Sequence, residues 1–157
     1  MTLTGVDRAA LSELVHRYAA AVDDRQFNAV AALFTADAEL WLPDPPATLE
    51  PTGCHRGHTE ISEAVAAVAA TLRTQHAIVG EVYDATSQPG TARGRIAGVA
   101  HHWIRHGDQI RDVIWYLRYD DEYRQVSSRQ WRIHRRALAI DAIDTTTIKQ
   151  VRPADEQ

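Results

Sequence analysis

The sequence predicts an α+β fold in which three N-terminal helices pack on a mostly antiparallel sheet. Two observations lead to this prediction. Apolar residues recur at helical spacing in the first half of the chain, and four long segments rich in β-branched and aromatic residues follow, separated by hairpin-length turns. Helices laid on one face of a strongly curved sheet leave an enclosed space between the two layers. That space is the expected place for a small-molecule pocket.

The first predicted helix carries an apolar stripe from Leu11 to Val22. Asp7 lies just before the stripe and is expected to cap the helix, and the pair Asp23 and Asp24 is expected to end it. The pattern therefore places a carboxylate at the C-terminal end of the first helix.

Shorter elements follow this helix. Apolar residues favour a second helix at about 28–34, and the run 38–42 is typical of a short strand. Prolines within 43–58 predict a loop of about 16 residues. A third helix is expected over about 59–72, with Thr59 as its cap.

Four long strands are predicted in the second half of the chain, each rich in Val, Ile, Trp, Tyr and Thr. The residues between them suit hairpin turns, which predicts an antiparallel meander. The strands are expected at 75–85, 92–105, 110–124 and 130–144.

Composition and charge exclude several classes of protein. The 157 residues predict one domain over 1–157, with a core at about 8–145 and a loose tail at 153–157. The single Cys54 excludes an internal disulfide, and a formal net charge of −4 without a basic cluster argues against nucleic acid. No apolar run is long enough to cross a membrane, which argues against a membrane protein, and no export signal is visible, so a cytoplasmic protein is expected.

Three groups of residues give the sequence a family resemblance. They are the segments 18–24 and 33–38, the segment 71–76 (TLRTQH), and the pattern YDDEY followed by WRI within 119–133. With the predicted order of elements, they make the chain resemble the SnoaL-like branch of the nuclear transport factor 2-like superfamily, which includes scytalone dehydratase and bile-acid 7α-dehydratase. The resemblance implies a cone-shaped fold with an enclosed pocket.

Asp23 and His76 are the pair that this resemblance makes catalytic, with both side chains pointing into the cone. A carboxylate that accepts a hydrogen bond from one imidazole nitrogen fixes the tautomer and leaves the other nitrogen as a general base. The alternative for an arbitrary pair of this kind is a helix-terminal Asp and a hydrogen-bonded core His.

His102 is the second candidate histidine. Strand alternation puts it on the same face as Ala100, with His101 and Trp103 on the other face. The resemblance aligns it with a second catalytic histidine, and an inward His102 is expected to protonate a leaving hydroxyl. The alternative is a strand histidine that is bonded to a neighbouring strand.

Tyr18 and one arginine complete the predicted catalytic set. Tyr18 lies five residues before Asp23, a spacing shared with the bile-acid 7α-dehydratases, and it either donates to a substrate oxygen or packs in the core. Alternation puts only one of Arg135 and Arg136 inward. The alignment favours Arg136, which would stabilise an enolate or a departing oxyanion; the alternative is a surface pair.

The predicted substrate-binding lining differs from that of scytalone dehydratase. Positions that are polar in that enzyme align with apolar or aromatic residues here, which predicts a polycyclic, aromatic or polyketide-like ligand. The lining is expected to comprise Trp41, Trp115, Leu117, Tyr119, Val22 and Leu42.

No metal or organic cofactor is expected. His55 and His58 have a short metal-like spacing, but no carboxylate or cysteine pattern completes it. No glycine-rich phosphate loop follows a predicted strand.

The sequence therefore predicts a cofactor-free lyase or isomerase in which an Asp–His base removes a carbon-bound proton and water is eliminated. A polyketide-type cyclase, a dehydrohalogenase and a non-catalytic ligand-binding module on the same fold are the alternatives. The expected partners are a small apolar or aromatic substrate and further copies of the chain, as a dimer or trimer. The outward sheet face that supports the second expectation carries His101, Trp103, Ile114 and Tyr116.

Overall fold

The computed structural model describes residues 2–152 and 154, and its helices precede most of a six-stranded sheet. The helices are α1 (Gly5–Asp23), α2 (Phe27–Ala31) and α3 (Gly57–Val65), and α3 is followed by a 3₁₀ turn (Ala66–Ala70). The strands are β1 (Phe34–Leu42), β2 (Gly53–Arg56), β3 (Arg73–Ala85), β4 (Thr91–His106), β5 (Gln109–Ser127) and β6 (Gln130–Ile148).

The strands form one mixed sheet in the order β2-β1-β6-β5-β4-β3. All neighbours are antiparallel except β1 and β6, which are parallel. The α+β class predicted from the sequence is confirmed, and the four long strands after the third helix occur as expected. The sheet is open, because β2 and β3 lie at its two edges.

Helix α1 begins earlier than the sequence analysis predicted. Its N-cap is Thr4, whose hydroxyl accepts from the N–H of Asp7 at 3.1 Å, while the Asp7 carboxylate accepts from the N–H of Thr4 at 2.9 Å. The prediction of Asp7 as the cap is therefore wrong. Asp7 is the third helical residue of a capping box, where its charge also suits the helix N-terminus.

Helix α2 is shorter than predicted, because Phe34 belongs to a strand. Residues 28–34 were expected to be helical, but the helix ends at Ala31. Phe34 pairs with Ile133 of β6, and the N–H of Ile133 donates to the carbonyl of Leu33 at 2.9 Å. Long-range strand pairing thus overrides the local helical pattern.

The predicted loop at 43–58 contains the edge strand β2, which pairs with β1. Helix α3 then starts at Gly57, and Arg56 precedes it without a side-chain cap, so the prediction of Thr59 as the cap is wrong. The helix also ends at Val65 rather than near 72, and the chain tightens into the 3₁₀ turn. The short β2 was missed because its four residues carry no strand pattern of their own and form a strand only by pairing with β1.

A bulge in β6 decides which residues of this strand face the helices. Tyr123 of β5 pairs with Ile133 and Glu122 pairs with Arg135, so His134 is an extra residue between the two pairs. Strict alternation from the buried Ile133 would bring Arg135 inward. The bulge instead brings Arg136 inward, where it is fully buried.

The core lies between the helices and the inner face of the sheet, and α1 contributes its whole apolar stripe to it. Buried strand residues in the same cluster include Leu40, Ile96, Ala100, Leu117, Tyr119, Ile133 and Leu138. Within the described part of the chain, no helix combines the length and apolarity needed to cross a bilayer.

The chain after β6 returns to the start of β3. Arg73 Nε donates to the carbonyl of Arg152 at 2.7 Å, and the N–H of Ala154 donates to the carbonyl of Leu72 at 3.2 Å. Apart from Ala154, the predicted tail at 153–157 lies outside the described residues.

Candidate active site

A cavity of about 410 Å³ lies between the helices and the inner face of the sheet. Its wall is mostly apolar, and among the described residues that line it there is no Asp, Glu, Lys or Arg. The cavity brings together many of the residues singled out from the sequence, namely Tyr18, Val22, Leu42, His76, His102, Trp115, Leu117 and Tyr119.

Sequence reasoning missed a second part of the wall, which comes from α3 and the residues after it. The helical spacing of this segment indicated an apolar face, but it did not indicate that this face borders the cavity. The additional lining residues are Ala64, Val65, Ala67, Val68 and Thr71 from this segment, with Pro43, Ile104, Val113 and Leu138 from elsewhere.

Asp23 and His76 are in direct contact at one side of the cavity. Asp23 is the last residue of α1 and His76 lies near the start of β3, and His76 Nδ1 is 2.7 Å from Asp23 Oδ1. A carboxylate accepts hydrogen bonds, so Nδ1 carries the proton and the remaining nitrogen, Nε2, is the basic one. Since His76 lines the cavity and Asp23 does not, the carboxylate supports the imidazole from behind.

Thr74 is part of this arrangement, although the sequence analysis did not single it out. It is buried, and its hydroxyl donates to Asp23 Oδ1 at 2.9 Å. The backbone N–H of His76 donates to Asp23 Oδ2, also at 2.9 Å. The sequence does carry a signal that could have identified Thr74. Thr74 and His76 are two residues apart, so the alternation of a strand places them on the same face.

His102 lies beside His76 on the inner face of the sheet. The two ring centroids are 6.1 Å apart, and the His102 ring is 4.3 Å from that of Trp115. His102 Nδ1 is 2.9 Å from the carbonyl oxygen of Val113, so Nδ1 is the protonated nitrogen. Burial lowers the pKa of His102, and the hydrogen bond to Val113 only partly opposes this. The ring is therefore neutral near pH 7 and presents an unprotonated Nε2.

Tyr18 and Tyr119 contribute their side chains to the cavity wall, with their rings 5.8 Å apart in an edge-to-face contact. Burial raises the pKa of both hydroxyls. They consequently remain protonated over the physiological range and are able to donate hydrogen bonds.

Arg136 lies one layer behind these tyrosines. Its guanidinium carbon is 4.3 Å from the ring centroid of Tyr18 and 3.9 Å from that of Tyr119. Nε and Nη2 donate to the carboxylate of Asp121 at 2.9 and 2.7 Å, and both side chains are fully buried. Arg136 faces inward but does not line the cavity, so a direct contact with a substrate oxygen, as the resemblance implied, is not available in this arrangement.

Trp41 lies outside the cavity, which corrects its expected place in the lining. Leu40 is fully buried on the core side of β1, whereas Trp41 stands on the other face, where the Arg135 guanidinium lies 5.6 Å from its ring centroid. Leu42 returns to the cavity side. The period of two along a strand separates these neighbours.

Two other histidines make separate local contacts outside the cavity. His58 Nε2 is bonded to the carbonyl of Phe34 at 2.9 Å, and His134 Nδ1 is 2.9 Å from the Thr35 hydroxyl. Within residues 2–152 and 154, no three His, Cys, Asp or Glu side chains converge as a metal-ligand set.

Comparison of the sequence with family models identifies a SnoaL-like domain over residues 6–137, which is most of the chain. No curated protein matches the sequence.

Several solved structures share the fold. A scytalone dehydratase-like protein of Novosphingobium aromaticivorans matches with a TM-score of 0.72 at 24% identity, over 96% of this chain and 92% of that chain. A type 2 hexachlorocyclohexane dehydrochlorinase (LinA) matches at 0.69 and 19% identity, over 94% and 93%. ActVI-ORFA of Streptomyces coelicolor matches at 0.69 and 14% identity, over 85% and 97%. At these identities the likeness concerns the fold alone.

Proposed function

The chain belongs to the SnoaL-like domain family, and we propose that this member is a cofactor-independent lyase or isomerase that acts on a small apolar molecule. One observation carries the proposal: His76 Nδ1 contacts Asp23 Oδ1 at 2.7 Å, with the imidazole in the wall of an apolar cavity. The pair supplies a general base in a site that suits a ligand of low polarity.

The base in the proposed reaction is Nε2 of His76. It removes a proton from a carbon next to a carbonyl group, and the electron pair of that C–H bond moves into the carbonyl to form an enolate. The carboxylate of Asp23 stabilises the resulting imidazolium through Nδ1. The proton and the positive charge of the imidazolium therefore remain inside the Asp–His pair.

The Tyr18 hydroxyl is the proposed donor to the enolate oxygen. Burial keeps this hydroxyl protonated by raising its pKa. A fixed donor at the point where negative charge develops lowers the barrier, and the effect is larger in an apolar site than in water. The buried Arg136 acts on this step from behind the Tyr18 ring rather than through a bond to the substrate.

Water leaves in the last step when the enolate electrons form a carbon–carbon double bond and expel a β-hydroxyl group. His76 returns its proton from Nε2 to the departing oxygen, which closes the cycle. His102 was expected to be this acid, but a buried neutral ring suits hydrogen-bond acceptance better. We therefore assign to its Nε2 the orientation of a substrate hydroxyl.

The cavity wall supports an uncharged substrate with fused or aromatic rings. Aromatic and aliphatic side chains, among them Trp115, Leu117 and Val68, offer dispersion contacts over most of the surface. A carboxylate or phosphate would meet no lining cation among the described residues. A polycyclic or polyketide-like ligand fits this chemistry.

A dehydration assay in D₂O tests the proposal. The probe is 3-hydroxy-1-tetralone, a neutral bicyclic β-hydroxy ketone that yields 1-naphthol when it loses water, used beside a panel of neutral cyclic ketones. We expect turnover in the unmodified protein, followed by absorbance and by proton NMR, and no turnover in His76→Gln. His106→Gln, which changes the exposed histidine at the end of β4, serves as the matched control and retains activity.

The outcomes separate the candidate functions. Deuterium at the carbon next to the carbonyl without 1-naphthol shows proton abstraction without elimination, the step that an isomerase shares, whereas binding of the probe without either change indicates a ligand-binding module. Undiminished turnover in a folded His76→Gln protein would exclude the Asp–His base.

A further inference from the structure

The carboxylate of Asp23 receives three hydrogen bonds, all from a three-residue stretch of β3. Oδ1 accepts from the Thr74 hydroxyl at 2.9 Å and from His76 Nδ1 at 2.7 Å, and Oδ2 accepts from the His76 N–H. Thr74 is only 5% exposed and does not line the cavity. Its hydroxyl therefore acts on Asp23 and has no access to a substrate.

We propose that Thr74 is a positioning residue for the His76 base: by sharing Asp23 Oδ1 with His76 Nδ1, its hydroxyl weakens the pull of the carboxylate on the imidazole proton and directs Nε2 into the cavity. The inference rests on the proposed function, because it assigns Thr74 a part in that chemistry.

The electrostatic reason is that a carboxylate beside an imidazole favours the imidazolium, which has no lone pair with which to take a proton. A hydroxyl that donates to the same oxygen disperses its negative charge and weakens its pull on the imidazole proton. Loss of the Thr74 hydroxyl should therefore raise the pKa of His76. The imidazole would then be protonated, and unable to accept a proton from the substrate, over a wider range of pH.

The other titratable groups of the cavity near His76 are uncharged near pH 7. His102 of β4 is close, with its ring centroid 6.1 Å away, but its burial disfavours the charged form. The hydroxyls of Tyr18 on α1 and Tyr119 on β5 share the cavity and are kept protonated by burial. Asp23 is the charged group in direct contact with His76, at 2.7 Å.

Thr74→Val is the direct test, because valine has nearly the shape of threonine without the hydroxyl. Proton NMR of the substrate-free protein follows the titration of His76, and we expect its pKa to rise by about half a unit to one unit. With the tetralone probe, kcat/KM at pH 7 should fall about three- to tenfold and recover at higher pH, with KM unchanged. Thr74→Ser should restore the original values.

Thr35→Val is the matched control. Thr35 is also buried, and its hydroxyl also contacts a histidine, His134 at 2.9 Å, but neither residue lines the cavity. This variant loses a comparable hydrogen bond and should leave the titration of His76 unchanged. Thr74→Ala provides a second variant without the hydroxyl in case valine prevents folding.

An unchanged or lowered pKa of His76 in the Thr74 variants would overturn the proposal, as would an equal loss of kcat/KM at every pH. The NMR titration needs no substrate, whereas the assay of His76→Gln needs one. Failure of the Thr74 proposal and failure of the proposed function are therefore distinguishable.

Discussion

His101 and His102 are consecutive residues of β4 whose rings lie on opposite faces of the sheet, and β5 holds each ring through Nδ1. His101 Nδ1 lies 2.7 Å from the carboxylate of Asp112, and His102 Nδ1 lies 2.9 Å from the carbonyl of Val113. The two partners are consecutive residues of β5. The acceptor for His101 is therefore a charged carboxylate, whereas the acceptor for His102 is a neutral carbonyl. Of these two histidines, the one that lines the cavity is consequently the one without a carboxylate in contact.

His102 should make the stability of the protein depend on pH. Burial lowers its pKa from the ordinary 6.5, so the unfolded chain binds more protons than the folded one below that value. The contribution is complete above about pH 6.5 and is lost as the pH falls through the lowered pKa. We expect His102→Gln to flatten the decline in the free energy of unfolding between about pH 7 and pH 5, by at most about 1.4 kcal/mol per pH unit.

Urea denaturation of both proteins across this range measures the difference. The pKa of His134 is also lowered by burial, but His134 is present in both proteins and cancels in the comparison. Equal slopes would show that His102 is not held neutral by the fold.

The Tyr18 hydroxyl should matter to turnover. Tyr18→Phe removes the proposed donor to the enolate and keeps the ring over Arg136. We expect kcat to fall about 100-fold, which is typical for the loss of one oxyanion donor. Tyr116→Phe, at a side chain that is 41% exposed, is the control and should retain full activity. Equal rates for the two variants would remove Tyr18 from the mechanism.

The buried Asp121–Arg136 pair should be strongly coupled to stability. Asp121→Asn leaves a guanidinium without its counter-charge under the cavity, and we expect a loss of about 3–5 kcal/mol in the free energy of unfolding. The half-exposed pair of Arg118 and Asp141 is the comparison, and Asp141→Asn should cost less than about 1 kcal/mol. Chemical denaturation of both variants measures whether the buried pair contributes more to the free energy of unfolding than the half-exposed pair does.

Gly94 should resist substitution because Tyr123 lies against it. A Cβ at this position would stand 2.6 Å from the hydroxyl oxygen and 2.7 Å from a ring carbon of Tyr123, whose hydroxyl donates to Asp121. We expect Gly94→Ala to cost about 1–3 kcal/mol in the free energy of unfolding. At Gly80 a Cβ would meet Ala97 at an ordinary 3.6 Å, so Gly80→Ala should change stability by less than about 0.5 kcal/mol. Thermal denaturation of the two variants tests the contrast.

Arg25 should stabilise the segment around the 3₁₀ turn, which forms part of the cavity wall. Its guanidinium donates to the carbonyls of Thr71 at 2.6 Å and Leu72 at 3.3 Å, and its backbone has a positive φ of 58°. Arg25→Gly relieves the left-handed backbone but removes these bonds. We expect amide hydrogen exchange at 66–72 to accelerate by about tenfold, as for the loss of about 1.4 kcal/mol of local stability.

Arg129→Gly is the control for this experiment. Arg129 also has a positive φ, of 60°, but it lies in the β5–β6 turn, far along the chain from the 3₁₀ segment. Its replacement relieves the same type of backbone strain and should leave exchange at 66–72 unchanged. Acceleration in both variants would point to a general loss of stability instead of a local one.

The regular elements could be predicted because their signals are local. The stripe of α1 and the alternation of the four long strands repeat within a few residues, so each segment carries its own pattern. The same locality explains the errors. The strand at Phe34 and the hidden β2 depend on competition between local preference and pairing with other segments.

The candidate site divides in the same way. Asp23, His76 and His102 were identified from residue type and motif, whereas the part of Thr74 needed the observed hydrogen bond to Asp23. Trp41 suits an aromatic lining by its chemistry, but the alternation of β1 turns its side chain away from the cavity.

By itself, the sequence determined the α+β class, the long strands and the Asp–His pair as candidates, since periodicity and motif are written in neighbouring residues. Only the tertiary structure decided that Asp23 and Thr74 meet at His76, that the bulge at His134 brings Arg136 inward, and that tyrosine rings separate Arg136 from the cavity. These contacts join residues that are distant along the chain, and their geometry depends on how helix and sheet pack, which no local pattern encodes.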